Sequence, residues 1–178
     1  MIGVGLSYYD VAYESCNLSK ELERKLGYDR IFVAGKEVKV IDGNFKSSDL
    51  EGSIFVNSNQ ANLFSILSFS PKAIVFSDSK INKKALEQMR DRDMVLCIPM
   101  NLLMTSVGLQ RSRNLYLMGR LFDHAKSLKL DVSFVTLSKS HQNLCSYIQL
   151  LELAKLVGAD EQYARRSLSE INRSLVIE

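Results

Sequence analysis

Short apolar segments alternate along the chain with longer segments in which apolar residues recur at helical spacing. Segments such as AIVF and MVLCIP are apolar throughout, so the strands that they predict are covered on both faces. Alternation of such strands with helices is typical of an α/β domain with a largely parallel sheet. Seven strands are predicted, at residues 2–7, 30–34, 38–41, 53–57, 73–77, 94–99 and 132–137.

The helices between these strands are predicted from apolar periodicity and from capping residues. Ser58, Asn82 and Asp160 are expected N-caps, and Gly27 and Gly158 are expected helix ends. The predicted helices comprise residues 10–26, 59–68, 82–92, 101–107, 113–129, 144–157 and 161–168, with a further turn at 171–176. Because no linker rich in Pro, Gly or Ser interrupts this order and no repeat is visible, residues 1–178 are expected to form a single α/β domain.

The composition is that of a globular chain that folds without cross-links. The 178 residues are 46% hydrophobic and 24% charged, and a chain of this length buries a substantial core. The three cysteines, Cys16, Cys97 and Cys145, are widely spaced and are interpreted as reduced core thiols. No stretch approaches 18 consecutive apolar residues and the amino terminus lacks a signal-peptide pattern, so we expect a soluble, intracellular protein.

The net charge of +3 is unevenly distributed along the chain. Residues 105–145 carry +4, so an anion-binding surface is expected there. In the helix predicted at 113–129, the side chains of Arg113, Arg120 and His124 share a stripe with Leu117, about 120° from the apolar core stripe. Arg111 precedes this stripe. Clustered arginines suit a nucleic-acid backbone, although a solvated face with extended side chains would give the same pattern.

The helix predicted at 144–157 is apolar almost all round. Leu144, Ile148 and Leu151 lie on one side of it, and Leu150, Leu153 and Val157 lie on another. Such a helix is either buried between layers or presents one face to another subunit. Further basic residues outside the long helix could extend a phosphate-binding surface, namely Arg165, Arg166, Arg173, Lys80, Lys83 and Lys84.

Residues at the carboxyl ends of the predicted strands are the first candidates for catalysis. They are Ser7, Asp10, Asn57, Ser58, Asp78, Asn101 and Ser138. Ser, Asn and Asp are also the commonest turn and cap residues, and no histidine base accompanies them, so we interpret this set as turn chemistry. The two histidines, His124 and His141, are fewer than the His and carboxylate ligands that metallohydrolases on barrels generally need.

Three motifs carry a family resemblance in the carboxy-terminal half. They are VLCIPMNLL, RSRNLYLMGRLFDHAKSLKLDVSFVTLSKS and LLELAKLVGADEQYARRSLSE. In their order and spacing the chain resembles ribonuclease P protein component 3, an archaeal and eukaryotic subunit built on a TIM-like barrel. The amino-terminal half resembles that family in EGSIFVNSN followed by SPKAIVFSD. The resemblance implies a TIM-barrel-like α/β fold of about seven mostly parallel strands with surrounding helices.

The resemblance also implies a non-catalytic subunit of an RNA-based endoribonuclease. In that family the RNA removes the 5′ leader of precursor tRNA, and this subunit pairs with protein component 2 and supports the RNA. The implied partners are ribonuclease P RNA, the other ribonuclease P proteins and, indirectly, precursor tRNA, with no membrane. The chain would bind no cofactor, magnesium would serve the RNA, and the complex would be cytoplasmic.

The family's RNA-contacting residues correspond here to Arg111, Arg113, Arg120 and Lys139. His124 shares the basic stripe, and Leu144, Ile148 and Leu151 are the expected partner interface. Two alternatives remain at this point: a metal-dependent phosphoesterase on a related barrel, and a scaffold that binds protein alone through the helix at 144–157. The isolated chain is expected to be inactive if the subunit interpretation holds.

Overall fold

The computed structural model describes residues 7–42, 50–57, 63–76 and 82–176. The strands are β1 (Tyr9–Tyr13), β2 (Arg30–Ala34), β3 (Val40–Asp42), β4 (Ile54–Asn57), β5 (Ala73–Phe76), β6 (Val95–Pro99) and β7 (Val132–Val135). The helices are α1 (Lys20–Leu26), α2 (Leu63–Ser68), α3 (Lys83–Arg90), α4 (Asn101–Thr105), α5 (Gly108–Ser127), α6 (Tyr147–Val157), α7 (Glu161–Arg166) and α8 (Asn172–Ser174).

All strand pairings in the two sheets are parallel, as the apolar segments predict. One sheet has the order β3-β4-β5-β6-β7, and the other pairs β1 with β2. Backbone bonds beyond the end of β7 join the sheets, because Leu137 N–H donates to the Val11 carbonyl and Tyr13 N–H donates to the Ser138 carbonyl, both at 2.9 Å. Leu137 has a φ of 45°, which interrupts regular pairing at this junction.

Both faces of the five-stranded sheet are covered. Successive residues of β5 and β6 alternate between two apolar clusters, so that Ile74 and Leu96 belong to the one packed by α2, α3, α5 and α6. Val75 and Cys97 belong to the other, which the carboxy-terminal segment covers with Ile171 and Leu175. The prediction of doubly covered strands is therefore confirmed for β5 and β6.

The helix predicted at 10–26 is wrong over its first half. Residues Tyr9–Tyr13 form β1, a 3₁₀ turn follows at Glu14–Cys16, and the helix begins only at Lys20, where Ser19 caps it. Val11 and Ala12 are completely buried, and β1 pairs along its whole length with β2. Tertiary pairing thus outweighs the local helical pattern. The strand predicted at 2–7 lies outside the described residues, apart from Ser7.

The remaining helices agree with the sequence more closely. Asn82, Asp160 and Gly158 cap α3, α7 and α6 as predicted, and Ser146 with Gln149 forms a capping box at the start of α6. The turn predicted at 171–176 is α8, which follows a π-helix at Ser167–Ile171. The N-cap predicted at Ser58 and the first residues of that helix lie outside the described residues.

Candidate nucleic-acid interface

The long helix α5 carries the candidate site, and its inner side fixes its position. Met118, Leu121, Phe122 and Ala125 are buried in the core, so the predicted apolar stripe is confirmed. The helix starts at Gly108, five residues before the predicted start at 113. Gly108 has a φ of 53°, which a glycine adopts without strain, and it begins α5 two residues after Ser106, the C-cap of α4.

Side chains from the first turns of α5 cap the end of α4. The Arg111 Nε donates to the Leu103 carbonyl at 2.8 Å, and the Asn114 amide donates to the Leu102 carbonyl at 3.4 Å. These carbonyls belong to the last turn of α4, where the Ser106 hydroxyl also donates to the Leu102 carbonyl at 2.5 Å. Arg111 is exposed but has this structural contact, so it is only partly available to a ligand.

Three side chains of α5 point outward together and are called here the arginine face: Arg113, Tyr116 and Arg120. Their spacing of three and then four residues makes them neighbours on the helix surface. All three are exposed, and an Arg120 Nη lies 3.4 Å from the Tyr116 hydroxyl. Leu109, one turn before Arg113, is 88% exposed and extends the same side. Tyr116 did not emerge from the sequence analysis, although its spacing from the two arginines is visible there.

Neither arginine of this face has a carboxylate partner among the described residues. Elsewhere six basic side chains are in ion pairs, namely Arg30, Arg90, Lys126, Lys155, Arg165 and Arg166. Arg165 and Arg166 are thus engaged with Glu161 and Asp131 and are less suited to a ligand than the sequence implied. The unneutralised guanidinium groups of the arginine face can bind an anion without first breaking an ion pair.

The other predicted RNA-contacting residues are not part of this face. His124 is half-buried one turn beyond Arg120, and its backbone carbonyl accepts bonds from the Ser127 hydroxyl and the Leu128 N–H. Lys139 is exposed beyond the end of β7, where its ammonium lies 5.1 Å from the centre of the Tyr13 ring. His141 is exposed in a separate 3₁₀ turn.

The predicted partner interface on α6 divides between core and surface. Leu151 is only 5% exposed and packs in the core, and Leu144 is half-buried against it. Ile148 is 60% exposed, and Leu156, which the sequence did not single out, is 65% exposed. The outer side of α6 also carries an exposed ion pair between Lys155 and Glu152, so its apolar residues do not form one continuous patch.

The catalytic candidates predicted at strand ends have structural roles where the structure describes them. The Ser138 hydroxyl bonds to Ser140 within a tight turn, and the Asn101 amide donates to the Leu137 carbonyl. Asp10 lies inside β1 rather than beyond a strand end, and it is completely buried. Ser7 is half-buried in the loop before β1. Ser58, Asp78 and the Asn57 side chain lie outside the part of the chain that the structure describes.

Asp10 belongs to a group of buried polar side chains between β1 and β7, called here the polar seam: Asp10, Ser133, Thr136, Ser167 and Asn172. The Asp10 carboxylate accepts bonds from the Thr136 N–H at 2.8 Å and the Thr136 hydroxyl at 2.6 Å. Burial nevertheless raises the pKa of Asp10 from 3.8 to about 6.

Asn172 completes the polar seam from the other side. Its amide nitrogen donates to the Tyr9 carbonyl at 2.8 Å and to the Phe134 carbonyl at 2.9 Å, while its oxygen accepts a bond from the Ser133 hydroxyl. The Ser167 hydroxyl accepts from the Phe134 N–H at 2.9 Å. The carboxy-terminal helices thereby provide hydrogen-bond partners for backbone groups of β1 and β7.

The cysteines are free and buried, as predicted, and burial raises the pKa of Cys97 to about 12 and of Cys145 to about 11. Within the described ranges, no three His, Cys, Asp or Glu side chains come together where a metal ion could be held. No helix in that part of the chain is long and apolar enough to cross a membrane.

Comparison with known proteins gives a structural match only. No protein-family model matches the chain, and no curated protein matches its sequence. Among solved structures, a chain in a cryo-EM structure of archaeal ribonuclease P with mature tRNA superimposes with a TM-score of 0.66. The match covers 94% of this chain and 89% of that chain, at 12% sequence identity. The two chains share a fold.

Proposed function

We propose that this chain is a protein subunit of ribonuclease P that binds the catalytic RNA and supports removal of the 5′ leader from precursor tRNA. The observation that carries the proposal is the fold shared with a chain of archaeal ribonuclease P over nearly the full length of both chains. The motif resemblance to protein component 3 supports that component in particular, together with the TIM-barrel-like fold of about seven mostly parallel strands.

The arginine face supplies the physical means of RNA binding. Guanidinium groups bind phosphate oxygens through paired, charge-assisted hydrogen bonds, and each phosphate contact releases counterions from the RNA. Arg113 and Arg120 are about 10 Å apart along the helix, since they are seven positions apart. Both are exposed and outside the described ion pairs, so binding a phosphate does not first require breaking one of those pairs.

The remaining parts of the proposal follow the family. The RNA performs the cleavage with its own magnesium, and the chain itself holds no cofactor. Protein component 2 and the other ribonuclease P proteins are the expected protein partners, with the exposed side of α6 around Ile148 as their expected contact. The complex is proposed to act in the cytoplasm.

The test of RNA binding compares variants with matched loss of charge. Arg113→Ala with Arg120→Ala is expected to lower affinity for ribonuclease P RNA by about 1 kcal/mol per arginine and to reduce the salt slope by about 2. Arg90→Ala with Lys155→Ala removes the same charge from residues that are already ion-paired, and should change both quantities much less. Equal effects of the two double variants would contradict the assigned surface.

The test of the subunit role uses the tagged full-length chain in a native lysate. Capture at moderate salt should recover one structured RNA, a second small protein and leader-cleaving activity toward precursor tRNA. If neither the RNA nor the activity is recovered, the similarity to the ribonuclease P chain reflects a shared fold alone. Hydrolysis of a generic phosphodiester by the purified chain in the presence of manganese would favour the phosphoesterase alternative instead.

A further inference from the structure

We propose that Tyr116 is a stacking platform for an unpaired RNA base, held between the two arginines that bind the flanking phosphates. This inference rests on the proposed function and assigns to the arginine face a class of RNA structure, namely a loop, bulge or single strand. Its starting point is the exposure of an aromatic ring at the centre of a basic surface, where Tyr116 is 63% exposed.

Tyr116 differs from the other six tyrosines of the chain. Tyr8 stacks on Tyr147, Tyr9 stacks on Phe32, and Tyr163 packs edge-on against Phe122. Tyr13 lies beneath Lys139, and Tyr28 is buried. No other described ring or cation covers either face of the Tyr116 ring. Its described contact is at the hydroxyl, from Arg120, and the ring is largely exposed to a ligand.

The surroundings of this ring select the kind of partner. An exposed ring and the nearby Leu109 could also contact a protein, but the arginines three residues before and four residues after Tyr116 have no described carboxylate partner. Two unneutralised cations beside an open aromatic ring are complementary to a strand that alternates phosphates with bases. The bases of a regular RNA duplex are stacked on one another and cannot lie on the ring, whereas splayed bases can.

The experiment measures binding of the full-length chain to an unstructured RNA oligonucleotide and to a blunt duplex of the same strand length. Tyr116→Ala is expected to weaken single-strand binding about tenfold and to leave duplex binding unchanged within about twofold. Tyr116→Phe keeps the ring and should bind like the wild type. Phe64→Ala, which truncates an exposed aromatic residue on α2, away from α5 in the chain, serves as the matched control.

A spectroscopic signal separates stacking from a loss of folding. An oligonucleotide containing 2-aminopurine should change its fluorescence on binding to the wild type and to Tyr116→Phe, and much less on binding to Tyr116→Ala. Suppose that Tyr116→Ala binds the single strand as tightly as the wild type does, while the double variant Arg113→Ala with Arg120→Ala binds it more weakly. This result would overturn the stacking role of Tyr116 and leave the proposed function intact. If the arginine variant also binds normally, the proposed function itself fails.

A third result would assign Tyr116 to a different partner. If Tyr116→Ala retains single-strand binding but no longer captures a protein from the native lysate, the ring contacts protein and the base-stacking inference is overturned.

Discussion

The polar seam and the arginine face are both groups of polar side chains, and they differ in the partners to which those side chains bond. In the seam, Asp10 and Asn172 are completely buried and their bonds go to neighbouring strands. On the face, Arg113 and Arg120 are exposed and no described carboxylate pairs with them. The fold therefore uses one group internally and leaves the other available for a ligand.

This contrast separates structural side chains from candidate ligand-binding side chains better than polarity or position in the chain does. Asp10 looks like a catalytic candidate when only the sequence is considered, because it is a carboxylate near a predicted strand end. Its contacts show that it holds β1 against β7. The arginines of α5 look like ordinary surface residues until their lack of partners is compared with the ion-paired Arg165 and Arg166.

The largest expected effect tests the seam. Asn172→Leu should lower the free energy of unfolding by about 4 kcal/mol, because it leaves the carbonyls of Tyr9 and Phe134 and the Ser133 hydroxyl buried without their partner. Urea unfolding measures this change. Arg173→Ala, at the exposed neighbouring position, should change stability by less than about 0.5 kcal/mol. A small effect of Asn172→Leu would mean that the seam does not hold the sheets together.

The second effect is a pH dependence caused by Asp10. Its pKa of about 6 in the folded state exceeds the ordinary 3.8, so the folded chain keeps a proton that the unfolded chain has lost. Stability should therefore fall as pH rises from about 4 to about 6, by up to about 3 kcal/mol, and then level off.

Asp10→Asn isolates this contribution, because the amide cannot titrate and can still bond to Thr136. The variant should gain stability relative to the wild type as pH rises through that window, when both are unfolded in urea at pH 4, 5, 6 and 7. A difference between the two proteins that stays constant with pH would contradict the assignment.

A smaller effect is expected at Arg111, which is exposed like the arginine face but makes a structural bond like the polar seam. Arg111→Ala should destabilise the chain by about 1 kcal/mol, since the Leu103 carbonyl loses its donor. Arg113→Ala should leave stability unchanged within about 0.5 kcal/mol. Thermal unfolding of the two single variants makes the comparison, and equal destabilisation would show that the capping contact contributes nothing.

The smallest change in stability comes from giving the arginine face an internal partner. Leu109→Glu places a carboxylate four residues before Arg113, as Glu161 stands before Arg165, and should add about 0.3 kcal/mol to the free energy of unfolding. RNA binding should nevertheless weaken, because Arg113 is then neutralised. Leu109→Gln is the uncharged control, and equal RNA affinity of the two variants would argue against a role for the unpaired charge.

The sequence predicts β5, β6 and β7 well because their burial on both faces appears as uninterrupted apolar runs. It mispredicts the first helix because the burial of Val11 depends on strands that are distant in sequence. In the site, helical spacing predicts that Arg113 and Arg120 share a side of α5. Which basic residues are neutralised depends on tertiary neighbours, as the pairing of Arg166 with Asp131 illustrates, and spacing alone does not provide this information.

The bonds of Asn172 also have a consequence for the order of folding. The residue that bridges β1 and β7 is separated from Tyr9 by 163 positions and from Phe134 by 38. Contacts between such distant positions form late, since a long loop must close before they contribute. During synthesis β1 and β2 can pair early, but the bonds that Asn172 makes to Tyr9 and Phe134 cannot form until α8 has left the ribosome. A nascent chain arrested before that helix should therefore expose the seam to proteases.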